Sequence, residues 1–165
     1  MRSGIAGCLA AAIFAFGCEG VTAQHGDGVV HTIPEGFRGW VKVEYSVASC
    51  PAQKNEGGRK LIAVAADGTA CTQYRRADGW KSAEFLRGTS HQALKEAPES
   101  ACCQPATLPK GAEPGTAFVL GRTGWTCEPK TDVQVFFVGT VDEYNKDRDG
   151  WQKFACDASA PEHRR

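Results

Sequence analysis

The run Ile33-Pro34-Glu35-Gly36-Phe37-Arg38-Gly39-Trp40-Val41-Lys42-Val43-Glu44-Tyr45 reads as a turn that launches a strand. Pro34 fixes its own φ and steers Ile33 to extended geometry. Gly36 and Gly39 permit a tight reversal around Phe37 and Arg38. From Trp40 onward polarity alternates. Val41, Val43, Tyr45 and Val47 share one face, and Trp40, Lys42, Glu44 and Ser46 share the other. A period of two marks a half-buried β-strand. The valine face is expected to enter a core. The other face, with Arg38 just before it, is a candidate binding surface of Arg38, Trp40, Lys42 and Glu44, unless a second layer covers it.

Further strands follow in both directions. Residues 60–65 form a short apolar run, Ala66-Asp67-Gly68 is a hairpin-type turn, and residues 69–75 are its expected returning partner. Ala77-Asp78-Gly79 repeats the turn signal before a strand over 81–87. Residues 91–97 have helical composition and stop at Pro98. Residues 98–115 are a long loop holding Pro98, Pro105, Pro109 and Pro114, with the vicinal Cys102-Cys103 as its tether. A strand over 116–120, a turn region over 121–130 and a strand over 131–139 come next. Thr140-Val141-Asp142-Glu143 fits a capping box that opens a short helix to about Lys146. Short strands between Gly and Pro turns predict an all-β fold, a small antiparallel sandwich or barrel-like sheet with one or two short helices, stapled by disulfides.

Residues 1–23 read as a signal peptide. Arg2 precedes an apolar run over 5–17, and Val21-Thr22-Ala23 offers a cleavage site before Gln24. The competing reading is a lipid anchor on Cys18, but Ala15-Phe16 suits an acylation signal poorly. The domain plan is then a flexible lead-in over 24–30, one β domain over 31–157 and a polar tail over 158–165. The chain of 165 residues balances 19 basic against 19 acidic side chains, so nucleic acid is a poor default partner. No other stretch is long and apolar enough for a membrane-spanning helix. The address is secreted or periplasmic. There Cys50, Cys71, Cys102, Cys103, Cys127 and Cys156 form a disulfide framework. Cys50 with Cys71 is the first expected pair, which leaves Cys102 and Cys103 to divide Cys127 and Cys156 between them.

The run from Ile33 to Val41, followed by Cys50-Pro51, resembles the start of an uncharacterised bacterial family of exported proteins. Its members open with I-P-E-G-[FY]-x-G-W-[VI] and carry a C-P or P-P pair shortly after. Phe137-Val138-Gly139-Thr140, then acidic residues and Tyr144, is a later echo. The resemblance spans residues 33–144. It implies fold and exported location and supplies no catalytic residue. The six cysteines depart from that family, which carries fewer.

Sites of chemistry are sparse. Asn145-Lys146-Asp147-Arg148-Asp149-Gly150 starts like a calcium loop, but Cys156 stands where a bidentate Glu is needed, so a solvated turn is the plainer reading. There is no C-x-x-C for zinc. No G-x-S-x-G surrounds a serine, and Ser90-His91 adjacency does not make a catalytic pair. Trp40, Trp80, Trp125 and Trp151 each follow a glycine, which suits packing over turns as well as a ligand platform. No metal and no cofactor is expected. The leading function is a non-enzymatic exported domain that binds a protein or glycan of the envelope or exterior. The alternatives are a secreted hydrolase using His31 or His91, and a stapled inhibitor presenting the Pro-rich loop.

The strand register is directly testable. Val43→Asp places an unpaired charge in the core and should unfold the domain. Lys42→Asp should change stability by less than about 1 kcal/mol. Urea denaturation of both variants checks this, and a Lys42 variant that is the more damaged would shift the register by one residue.

Overall fold

A computed structural model describes residues 28–52, 54–76, 83–97, 102, 104–128 and 131–156. The expected signal segment, most of the lead-in, the Asp78-Gly79 turn, Trp80, Cys103 and the polar tail lie outside the described residues. The strands are β1 (Val29–Ile33), β2 (Gly39–Tyr45), β3 (Asn55–Glu56), β4 (Arg59–Ala63), β5 (Thr69–Cys71), β6 (Glu84–Arg87), β7 (Gln92–Ala93), β8 (Phe118–Cys127) and β9 (Thr131–Gly139). Helix α1 (Val141–Lys146) and a 3-10 turn (Gly150–Phe154) follow.

The strands form two sheets, β3-β4-β1-β6-β7 and β5-β2-β9-β8. The fold is all-β as expected, and both sheets are mixed. β1 runs parallel to β4 and β6, while β2 runs parallel to β5 and antiparallel to β9. Most connections in the first half of the chain switch sheets. β1 lies in the first sheet, β2 in the second, β3 and β4 in the first, and β5 in the second. A parallel neighbour requires a crossover, and here a strand of the opposite sheet supplies it.

The turn after β1 is therefore a corner between sheets, closed by Phe37 N–H donating to the Pro34 carbonyl at 3.1 Å. The Asp67-Gly68 turn is a second such corner, which corrects the hairpin expected there. Gly68 N–H donates to Ala65 O at 3.0 Å, but β5 leaves β4 and lies parallel to β2. Asp67 Oδ1 fixes the corner by accepting from the Thr69 N–H at 2.9 Å and hydroxyl at 2.7 Å.

Two further expectations are corrected. Residues 91–97 are extended, not helical. β7 pairs with β6, Leu94 N–H donates to Phe85 O at 2.8 Å, and Ala97 N–H donates to Val119 O at 2.9 Å. A helix of two turns is marginal alone, and two strand edges offer this backbone better partners. Residues 121–127 continue β8 past a bulge between Leu120 and Thr123. Gly121 makes the bulge possible at φ +56, because a Cβ there would sit 2.7 Å from the Tyr144 ring. The capping box forms as expected, with Glu143 N–H donating to Thr140 Oγ1 and Thr140 N–H donating to Glu143 Oε2.

Val41, Val43 and Tyr45 enter a core between the sheets with Ile33, Ile62, Phe85, Phe136 and Val138. A second core lies on the far side of the second sheet, where α1 and the 3-10 turn cover Trp40, Leu120, Val133, Val135 and Phe137. Cys50 bonds to Cys71 as expected, with Cα atoms 5.8 Å apart. Cys127 bonds to Cys156, so these two are not divided between Cys102 and Cys103. The end of β8 and the end of the 3-10 turn lie side by side, and the bridge joins them. Cys102 is also disulfide-bonded.

Gly68 separates two costs of substitution. Its φ is +84, and a Cβ would lie 2.6 Å from the Trp40 carbonyl oxygen. Gly57 has φ +57 and open space around it. Gly68→Ala should therefore lose more than about 2 kcal/mol, and Gly57→Ala about 1 kcal/mol. Equal urea midpoints for the two variants would contradict the close approach at Trp40.

Candidate functional site

The four residues of the expected binding face have separate fates. Trp40 is 2% exposed; it meets Phe137 and Tyr144 at ring distances of 5.5 and 5.8 Å, and its Nε1–H donates to Asp147 O at 2.7 Å. It anchors α1 to the sheet and offers no platform. Lys42 and Glu44 pair with each other at 2.6 Å, partly exposed. Arg38 reaches the capping-box carboxylate of Glu143 at 3.3 Å. That carboxyl is held below the usual range first by the Thr140 N–H bond, with Arg38 adding to it.

Of these four, Arg38 lines a cleft of about 680 Å³. The cleft lies at one end of the sandwich. The corner after β1 brings Glu35 and Arg38, the end of β6 brings Arg87, and the chain from β7 onward brings Leu94 and Lys95. The loop before β8 closes it with Pro109, Lys110, Ala112, Glu113 and Phe118. Asn145 pins that loop at Ala106, accepting from its N–H at 2.9 Å and donating to its carbonyl at 3.0 Å. The first oxygen residue of the calcium-like run is thus committed to holding backbone. The described part of the Pro-rich loop forms a wall of this cleft.

Arg87 is the unusual member. Strand alternation puts it on the same face of β6 as Phe85, toward the interior, and it is 9% exposed. Its register partner is Ile33, itself fully buried. Its guanidinium makes no hydrogen bond or ion pair with any described residue. Glu35, in the same cleft, is instead 3.4 Å from the Ser90 hydroxyl. Alternation over 84–87 was the sequence signal for this residue: Phe85 and Arg87 share a face.

The two histidines stand elsewhere. His31 is 1% exposed, stacked on Phe85 at 5.0 Å, with Nε2 3.4 Å from the Tyr45 hydroxyl. That hydroxyl donates to Gln134 Oε1 at 2.7 Å, so its oxygen is left to accept from His31 Nε2–H. Nδ1 is buried without a partner. Burial first, and then the charge of Arg122, lowers the imidazole to about 3, with the Glu84 backbone working the other way. Burial likewise raises the Tyr45 phenol. His91 is exposed in the β6–β7 turn at φ +51. Neither histidine hydrogen-bonds a serine or a carboxylate among the described residues. Also among the described residues, no three His, Cys, Asp or Glu side chains converge for a metal, and no helix is long and apolar enough to cross a membrane.

Comparison with known proteins yields an uncharacterised family and a distant structure. Residues 26–86, from the lead-in to β6, match the model of a "Family of unknown function (DUF6843)". No curated protein matches the chain. A crystal structure described as "Putative Lipoprotein from Bacillus anthracis" is similar at 17% identity and a TM-score of 0.42, covering 76% of this chain and 92% of its own. At that level the likeness carries no argument about function.

The buried histidine sets a pH dependence. The unfolded chain takes up the proton near the ordinary imidazole value of 6.5, and the folded protein only at about 3. Between these values the unfolded state holds more protons, so acid favours unfolding. His31's contribution is complete above 6.5 and falls away as pH drops toward 3. His31→Phe should flatten the fall of urea stability between neutral pH and pH about 4 by up to one proton, about 1.4 kcal/mol per pH unit. An unchanged slope would mean that His31 is already charged in the fold.

Proposed function

We propose that the protein is an extracytoplasmic binding module without catalysis of its own, and that its ligand, part of an envelope or extracellular component, enters the cleft at the end of the sandwich. The observation that carries this reading is the cleft lining. Leu94 and Phe118, 8% and 4% exposed, give the cleft an apolar part beside charged groups contributed by four chain segments. A concave site with an apolar body and a few placed polar groups is the common form of a ligand pocket. The signal-like leader and the Cys50–Cys71 and Cys127–Cys156 bridges support an oxidising compartment. The sealing of His31 and the exposed isolation of His91 weigh against the hydrolase reading.

Two measurements test this. The intact mass of protein recovered outside the cytoplasm should lack residues 1–23, and full-length protein retained in the cytoplasm would overturn the address. In a fragment screen by NMR on the mature protein, saturable binders should shift the amides of Leu94 and Phe118. Ala112→Trp, which fills the cleft from its loop wall, should abolish those shifts and leave the melting temperature unchanged. Binders that act elsewhere, or that ignore the tryptophan, would overturn the cleft as the site.

A further inference from the structure

Resting on the cleft as the binding site, we infer that Arg87 is the anchor for a single oxyanion, a carboxylate or phosphate group carried on a molecule with an apolar body. The strand places Arg87 where the pattern calls for a core residue. Phe85, two positions earlier on the same face, packs in the core between the sheets. Arg87 continues that face to the end of the sandwich, where the interior opens into the cleft. It is 9% exposed, and no described carboxylate, carbonyl or hydroxyl receives its guanidinium. A guanidinium so enclosed needs either water or an acceptor. Its planar fork of donors matches carboxylate and phosphate oxygens two at a time.

The surrounding charges set the size of the ligand's charge. Two lysines, Lys95 and Lys110, and two glutamates, Glu35 and Glu113, line the cleft together with Arg87. Arg38 is drawn off by Glu143 at 3.3 Å. The lysines and glutamates balance, so Arg87 is left as the uncompensated cation, which suits one anionic group and repels a polyanion. Leu94 and Phe118 provide the apolar part of the cleft for the apolar remainder. A local rule broken at a cleft, with no compensating contact among the described residues, is where function is expected.

The test uses four probes with the same apolar body: hexanoate, hexyl phosphate, hexylamine and hexanol, titrated into the mature protein by NMR. The expected result is that hexanoate or hexyl phosphate binds the cleft at least about tenfold tighter than hexanol, and hexylamine no tighter than hexanol. Whichever of the two anions binds tighter identifies the group. Arg87→Gln should erase the preference for the two anions over hexanol. Arg87→Lys should keep the charge and lose part of the preference. If Arg87→Gln does not fold, the wild-type Arg87 Nε–Hε resonance decides: it must move with the anions and not with hexanol. Equal binding of hexanoate, hexyl phosphate and hexanol in the cleft would overturn the oxyanion anchor while sustaining the cleft as a binding site. Failure of all four probes to bind there would overturn both.

Discussion

Strand β9 is buried on both faces, and this constraint shapes the rest of the molecule. Val133, Val135 and Phe137 point to one side, and Gln134, Phe136 and Val138 to the other, none more than 3% exposed. A strand of this kind needs two covers. The first sheet supplies one, through Ile33, Ile62 and Phe85. The other comes from α1, the 3-10 turn and the loop before β8, through Tyr144, Val141 and Ala106. Trp40 lies at the seam: its ring packs on Phe137, and its Nε1–H holds the Asp147 carbonyl at the end of α1. The two bridges reinforce what burial alone holds weakly. Cys50–Cys71 fastens the three-residue edge strand β5 beside β2, and Cys127–Cys156 fastens the 3-10 turn to β8. Each closes a loop of 21 to 29 residues, for which the chain-entropy estimate is about 3 kcal/mol.

What was legible in the sequence was local. The turn at Pro34, the alternation from Val41 to Tyr45, the Thr140–Glu143 capping box and the β9 run each carry their signal within a few residues. Cys50–Cys71 was legible because one cysteine follows β2 and the other lies in the strand that returns to it. Sheet membership was not legible. Asp67-Gly68 codes for a reversal with positive φ, and that local chemistry serves a hairpin and a corner between sheets equally. The same limit applies to residues 91–97. Their composition permits a helix, but the free edges of β6 and β8 lie within reach, and hydrogen-bond partners far away in sequence decide the outcome.

Trp40 is withdrawn from the expected binding face for a related reason. Alternation shows that Trp40 opposes the valines, but it cannot show whether another layer lies there. The capping box gave the helix without giving its docking position. Arg87 was passed over although its signal was present. Residues 84–87 read polar, apolar, apolar, charged, which hides the period of two. Phe85 must first be placed in the core before Arg87 becomes a charge in a core register.

The interior holds two polar departures, and their contrast shows which one belongs to packing. His31, Tyr45 and Gln134 join β1, β2 and β9 across the inter-sheet core. The imidazole is held neutral by burial, the Tyr45–Gln134 bond is short at 2.7 Å, and Nδ1 of His31 is left without a partner. Such a network favours one sheet-on-sheet register, since a slip of one residue would strand its polar atoms in an apolar core. Arg87 departs in the opposite way. It is charged where His31 is neutral, it is at the end of the sandwich where His31 is at the centre, and it has no hydrogen bond or ion pair with any described residue. The His31 group joins three strands across the core and serves the fold. Arg87 stands at the mouth of a cleft, where its donors are open to water or to an acceptor that enters from outside.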